Sequence, residues 1–349
     1  MALSRRINGN YPNFDLTLRR YARMMNSPVA LSLPIDSDIN ALRLGMARGD
    51  DMAVGCVPVL HHLLGNDDKS LFSDDIIALI RGMLADVARQ ICMMADDFEG
   101  DQPPVAGDHL RIAAIVPQVM QVPGLLTHLH ATALEWQISL RLQTGIGLDP
   151  VLSPLVQSLI ASQDGAIGVS AMKLLAAQAR FIQNQRHMRL PMSELPADLL
   201  HGLLAATRTV FQTEGSAAET SMRAQYDESV TRLGLLAQLI SSMGAGQIAA
   251  LQLTHAGTAL FASALAAGYA PGPAGNHLTR DGALMAMMQR HSARLALTLR
   301  MAGVKMSAIS ENYHALGHEA IFLEHVAALS PERAKQMLSE TAQAKLGAE

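Results

Sequence analysis

Apolar residues recur along most of this chain at steps of three and four, the spacing that lines one face of an α-helix. The run over 149–211 shows it most clearly. Ser153 and Pro154 make a cap and a first-turn proline, and Leu155, Val156, Leu159 and Ile160 then fall on one face of a short helix. The turn Ser162, Gln163, Asp164, Gly165 ends it. A longer helix follows, with Ile167, Ala171, Leu174, Gln178, Phe181 and Gln185 in one line and Leu175 and Ile182 beside it, so only a stripe of it is fit for burial. Pro191 and Pro196 bracket the next break, and Leu199, Leu200, Leu203, Leu204, Val210 and Phe211 give a third helix its buried face.

Caps and stops place the remaining elements. Asp36 is positioned to cap a helix over 36–48, and another follows over 52–64, interrupted by Gly55 and Pro58. Ser73 caps a stronger helix carrying Ile76, Ile77, Ile80, Met83, Leu84, Val87, Ile91 and Met94 at helical spacing. Helices are expected over 110–121, kinked by Pro117, and over 125–144, ended by Gly145 and Gly147. Ser216 and Glu219 read as a capping box for a helix running through Met222, Tyr226, Val230, Leu233 and Ile240 to Met243. An Ala- and Leu-rich helix is expected over 247–267, one from Thr279 to Gly303, one over 308–329 behind Ser307, and a last one opened by Ser330 and Pro331.

With helix after helix and no strand signal between them, the chain reads as all-α. Pairs of similar length suggest a HEAT-like α-solenoid, and the lack of a strict period leaves an irregular helical bundle of antiparallel helix pairs as the alternative. Ala95 to Asp108 combines five acidic residues with Gly and the pair Pro103, Pro104, and reads as a linker between an N-terminal helical region, 1–94, and a helical-repeat region, 109–349.

Composition narrows the function classes. At 349 residues the chain can bury a substantial core, and an aromatic share of 4% against 49% hydrophobic residues suits helix-on-helix packing. A net charge of -4 offers no global field for nucleic acid or an anionic membrane, and Trp136 is the only Trp available for base stacking. Cys56 and Cys92 show no close-spaced motif, and no stretch approaches the roughly 20 apolar residues of a membrane span. A cytoplasmic location is the expectation, with no nucleic acid partner and no membrane span.

Three segments carry a family resemblance: LFSDDIIALIRG, SAMKLLAAQARFIQNQRHMRLPMSELPADLLHGLL and HSARLALTLRMAGVKMSAI. Together they resemble the uncharacterised bacterial domain-of-unknown-function family 2336, over Leu71 to Ile309. That resemblance implies an all-helical, HEAT-like fold in a cytoplasmic protein of alphaproteobacterial type, and it brings no catalytic residue with it.

Several constellations bear on chemistry. Asp96 and Asp97, with Glu99 and Asp101, invite comparison with the aspartate-rich motif by which all-α terpenoid synthases bind magnesium, and Asn66, Asp67, Ser70 and Asp74 loosely resemble their second metal motif. Their order along the chain is the reverse of that family's, and an acidic linker is the plainer explanation. Glu311 and His314 form one Glu-x-x-His where a di-iron site needs two. His128 and His130, two apart, diverge on a helix, as His61 and His62 do. On one face of the helix over 308–329, His314, His318 and His325 are expected in solvent. Met285, Met287 and Met288 read as core filler. Lys173, Arg180 and His187 stack seven apart on the face opposite Ile167, Leu174 and Phe181, as a basic ridge on a solvated face or a docking surface. The expectation is a non-enzymatic helical-repeat protein that binds another protein, partly through Lys173, Arg180 and His187, without cofactor or metal; the alternative is an all-α metal-dependent enzyme using the Asp96 to Asp101 region.

Overall fold

A helix that is apolar on every side has to be surrounded by protein, and the segment after Pro123 is of that kind. Leu125, Leu126, Leu129, Leu134, Ile138 and Leu142 are all buried, and together they point around the whole helix. In the computed structural model, which describes residues 35–65, 74–96, 108–211, 220, 223–224, 226–268, 278–289 and 292–346, this helix is the axis of the molecule. The described residues form helices and turns, without a strand.

We number the helices α1 (Ile35–Gly65), α2 (Asp74–Asp96), α3 (Asp108–Val119), α4 (Leu125–Ile146), α5 (Pro154–Ile160), α6 (Gly165–Arg186), α7 (Ala197–Phe211), α8 (Arg232–Ser242), α9 (Leu253–Gly268), α10 (Arg280–Met288), α11 (Ala293–Met301), α12 (Met306–Leu316), α13 (Leu323–Ala327) and α14 (Pro331–Leu346). The axial helix α4 packs against α1, α2, α6, α9, α10 and α12. It contributes to both apolar clusters, one with Leu60, Ile80, Met83 and Leu203, the other with Leu236, Leu260, Phe261 and Tyr313.

Contacts between distant parts of the chain decide between the two expected architectures. A solenoid buries each repeat only against its neighbours. Here α1 packs on α11 and α14, with Arg43 bonded to Glu340 at 2.6 Å and Arg294 to Asp50 through two bonds of 2.9 and 2.5 Å. The fold is an irregular all-α bundle. The expected linker falls largely outside the described residues, and the helices flanking it, α2 and α3, pack against each other. No single helix among the described residues is long and apolar enough to cross a membrane; Arg232–Ser242 and Gly244–Leu251 qualify only when joined, and they are bent by 117°.

Local capping chemistry explains where helices start. Ser153 caps α5 with Pro154 in its first turn, Asp164 accepts from Ala166 and Ile167 at the head of α6, and Thr279 caps α10. The stripe on α6 is as expected: Ala171, Leu174, Gln178, Phe181, Ile182 and Gln185 are buried. Five expectations are corrected. The helices expected over 36–48 and 52–64 are one, α1, which carries Pro58 inside it. The helix expected from Ser216 to Met243 is broken: Tyr226 and Asp227 are not helical, Asp227 caps a short turn Glu228–Val230, and Thr231 caps α8 afresh. The stretch 247–267 begins as the 3-10 segment Gly244–Leu251 and only then becomes α9. The helices expected over 279–303 and 308–329 are each divided, by the Ser292 cap between α10 and α11 and by Gly317, whose φ of 69° closes α12 in a left-handed conformation.

Where these breaks leave backbone groups open, buried side chains close them. Asn312, fully buried on α12, accepts from the Leu253 N–H at 2.8 Å and donates to the Leu251 carbonyl at 2.9 Å, spanning the junction into α9. Asp86 on α2 accepts the Leu190 N–H at 2.9 Å and tethers the loop after α6. Replacing Asn312 by the similarly sized Leu leaves a donor and an acceptor buried without partners, at about 1–3 kcal/mol each. Chemical denaturation of Asn312→Leu is expected to show a loss of about 2–4 kcal/mol; a loss below about 0.5 kcal/mol, the range of neutral surface changes, contradicts this role.

Candidate functional site

Titratable groups converge at one place in the described core, on the side of α4 that faces α8 and α10. Arg232 is brought there by the tight start of α8. Thr231 accepts from the Gly234 N–H, and the turn is so close that a Cβ on Gly234 would stand 2.0 Å from the Glu228 carbonyl oxygen. Glu194 comes from the 3-10 turn Met192–Glu194 between Pro191 and Pro196, and Glu135 from the middle of α4. Arg280 and Asp281 form the first turn of α10, and His128 lies near the start of α4.

The contacts are dense. Arg232 donates from Nη1 and Nη2 to the two Glu135 oxygens at 2.8 and 3.2 Å, from Nε to Glu194 Oε2 at 2.7 Å, and from Nη1 to Gln178 Oε1 at 3.1 Å. Its guanidinium carbon lies 3.6 Å from the centroid of the Phe181 ring, which adds a cation–π contact in a dry setting. Arg280 places Nη2 2.8 Å from Glu135 Oε1, an ion-pair distance without hydrogen-bond alignment, and donates from Nε to Ser263 Oγ at 3.1 Å.

His128 extends the cluster. Its Nδ1 lies 3.0 Å from Asp281 Oδ2 and its Nε2 lies 2.9 Å from the Glu194 carbonyl oxygen. Both partners only accept, so both ring nitrogens have to donate and the ring is an imidazolium. Burial pushes its pKa down, but Asp281 and the Glu194 carbonyl outweigh that and the net direction is up. Likewise burial alone would raise the Glu135 carboxyl, yet Arg232 and Arg280 hold it well below the usual carboxylate range. With His128 charged, three cations (Arg232, Arg280, His128) stand against three carboxylates (Glu135, Glu194, Asp281), and the cluster is neutral.

Such an arrangement holds elements together. A general base has to reach a substrate proton, whereas Glu135 is 0% exposed and committed to two guanidinium groups. The same holds on the other side of α4, to which His130 points because two residues turn a helix by about 200°. Cys56 Sγ lies 3.0 Å from His130 Nδ1. Burial pushes the thiol up to about 12 and the imidazole down to about 4. A protonated thiol therefore donates to a neutral ring, the opposite of the thiolate–imidazolium pair a cysteine nucleophile needs.

Accessible charge lies on α6. Lys173, Arg180 and His187 are exposed, as expected, with His187 at the C-cap of the helix, and none of the three makes an ion pair with a described residue. Beside them Val169 is 58% and Met172 53% exposed, at the edge of a shallow groove of about 560 Å³ whose lining includes Ile160, Ser162, Gly168 and Lys173.

Of the two acidic sets, only Asp74 has a described side chain, exposed at the start of α2; the side chains of Asp96, Asp97, Glu99 and Asp101, and residues Asn66, Asp67 and Ser70, lie outside the described residues. Among the described residues no three His, Cys, Asp or Glu side chains converge as metal ligands. His314 and Glu311 are exposed. His318 is a correction: it follows the end of α12, donates to the Met287 carbonyl at 2.7 Å and stands edge-on to Tyr313, so it belongs to the packing. Met287 is fully buried as core filler, with Met285 and Met288 half-buried. No protein-family model, curated protein or solved structure matches the chain.

The His128 assignment sets a pH dependence. A histidine whose pKa is raised on folding contributes stability that is complete below its unfolded value of about 6.5 and is lost as pH climbs through the folded value. The difference in unfolding free energy between the unmodified protein and His128→Gln is therefore expected to shrink as pH is raised from about 6.5 upward. Denaturant titrations across that range check it, and a difference that stays flat or grows contradicts a charged His128.

Proposed function

We propose that this chain is a non-enzymatic helical protein that binds another protein through the outer face of α6, in a regulatory or scaffolding role in the cytoplasm. The observation that supports it most is the contrast between two sets of charges. Arg232, Arg280 and Arg294 are each paired with a carboxylate and help close the fold. Lys173 and Arg180 stand exposed in one line with His187, neither cation having a described counter-ion, next to Val169 and Met172. Cations left open beside exposed apolar side chains are the ingredients of a protein interface, where apolar contact supplies affinity and charge supplies specificity and association rate. Kinship with the domain-of-unknown-function family 2336 is proposed alongside, since that resemblance implies no catalytic residue.

Arg180→Glu tests the role. An exposed substitution is expected to leave the thermal midpoint within about 2 °C, while affinity capture from the native host loses the protein that the unmodified chain retains. Unfolding of Arg180→Glu, or full retention of every captured protein, contradicts the proposal.

A further inference from the structure

We infer that the partner element seated on α6 is an amphipathic α-helix, apolar towards one end and acidic along the rest, lying lengthwise on this face; the inference rests on the interaction role proposed above. The exposed seam Val169, Lys173, Ala176, Arg180, Gln183, His187 advances in alternating steps of four and three. That is the spacing by which one helix keeps a single stripe against another. The seam is graded. Towards the N-terminus Val169 and Ala176, with Met172 beside them, flank Lys173, and Gly165, where a Cβ would meet nothing within 4 Å, leaves the groove lining open to a close-lying backbone. Towards the C-terminus it turns basic.

Part of that basic end has a local cause. Arg186 sits in the last turn of α6, where a cation relieves the negative end of the helix dipole, and His187 follows it as the C-cap. Lys173 and Arg180 lie a turn or more further in, so the dipole does not account for them. No acidic residue occurs between Asp164 and Glu194, so α6 carries no carboxylate of its own to answer these cations. The complement is a helix with two carboxylates seven residues apart, about 10 Å along its axis, one facing Lys173 and the other Arg180.

Other occupants fit less well. A second copy using the same face would set basic residues against basic residues across a two-fold axis. A flat bilayer would leave the groove beside Gly168 unfilled, whereas a helix ridge enters it.

The test uses the full chain and two synthetic amphipathic peptides of about 20 residues, enough to span α6. Both carry leucines at one end of a heptad stripe; one has Glu at paired i, i+7 positions and the other Lys. Fluorescence anisotropy is expected to show the Glu peptide binding about tenfold more tightly than the Lys peptide, with the preference lost for Arg180→Glu and reversed when Lys173→Glu is combined with it. Lys173→Glu, a second charge reversal on the same seam, is expected to shift binding the same way. Val169→Asp is expected to weaken the Glu peptide by about tenfold. Equal binding of the two peptides, or binding of the Glu peptide that survives Arg180→Glu, overturns the inference, as does association with phosphatidylserine vesicles in place of the Glu peptide. If Arg180→Glu loses the captured native protein while the Glu peptide does not bind, the helix inference fails and the interaction role stands. If capture survives Arg180→Glu, the role itself fails.

Discussion

The ion pair between Arg232 and Glu135 is the contact on which the rest of the structure depends. Moving two such ions from water into a protein interior costs several kcal/mol each, and their attraction offsets this only when the geometry is good and the remaining donors and acceptors are satisfied. Here the guanidinium bonds Glu135, Glu194 and Gln178 and rests on Phe181, and Arg280 adds a second cation to Glu135. These groups come from α4, α6, α8, α10 and the turn before α7, so the penalty is offset only when all five elements are in place together. An ordinary apolar core tolerates partial assembly better. The burial of α4 around Glu135, from Leu125 to Ser139, suits the same arrangement, because these pairs are strong only when shielded from water.

This division of charge gives the molecule its functional logic. Interior charges are matched and shut away, so they stabilise and orient without offering a reactive group. Lys173 and Arg180 are the opposite case, held on a rigid helix whose other face is fixed by Leu174, Phe181 and Ile182. Because Phe181 packs on the Arg232 guanidinium, the buried cluster also sets the orientation of the helix that carries the exposed seam. The fold therefore presents that face in one position, so the interaction proposed for it would carry little ordering cost.

Legibility in the sequence followed the range of the interactions. The start of α5, the start of α6 and the stripe on α6 are local, each decided by a cap or a period within a few residues, and they were readable. The breaks at Thr231, Gln252, Ser292 and Gly317 were not, because the apolar period continues across them; at Gln252 the break is closed by a tertiary contact, Asn312 reaching the backbone at Leu251 and Leu253. The charge cluster was the least legible, since Glu135 and Arg232 are 97 residues apart and ion pairs leave no periodic mark. One signal was present: Glu135 stands inside an apolar run on a helix with no polar face, where an acid needs a buried partner. The exposure of Lys173, Arg180 and His187 followed directly from the period of α6.

The most direct test of this account is a double-mutant cycle between Glu135 and Arg232, read as unfolding free energy for Glu135→Leu, Arg232→Met and the pair. Each single change strands a buried charge and is expected to cost about 3–5 kcal/mol. The double variant removes both charges, and it is expected to cost less than the sum of the singles by at least about 2 kcal/mol. Single losses that add to within about 0.5 kcal/mol would contradict the claim that this pair closes the fold.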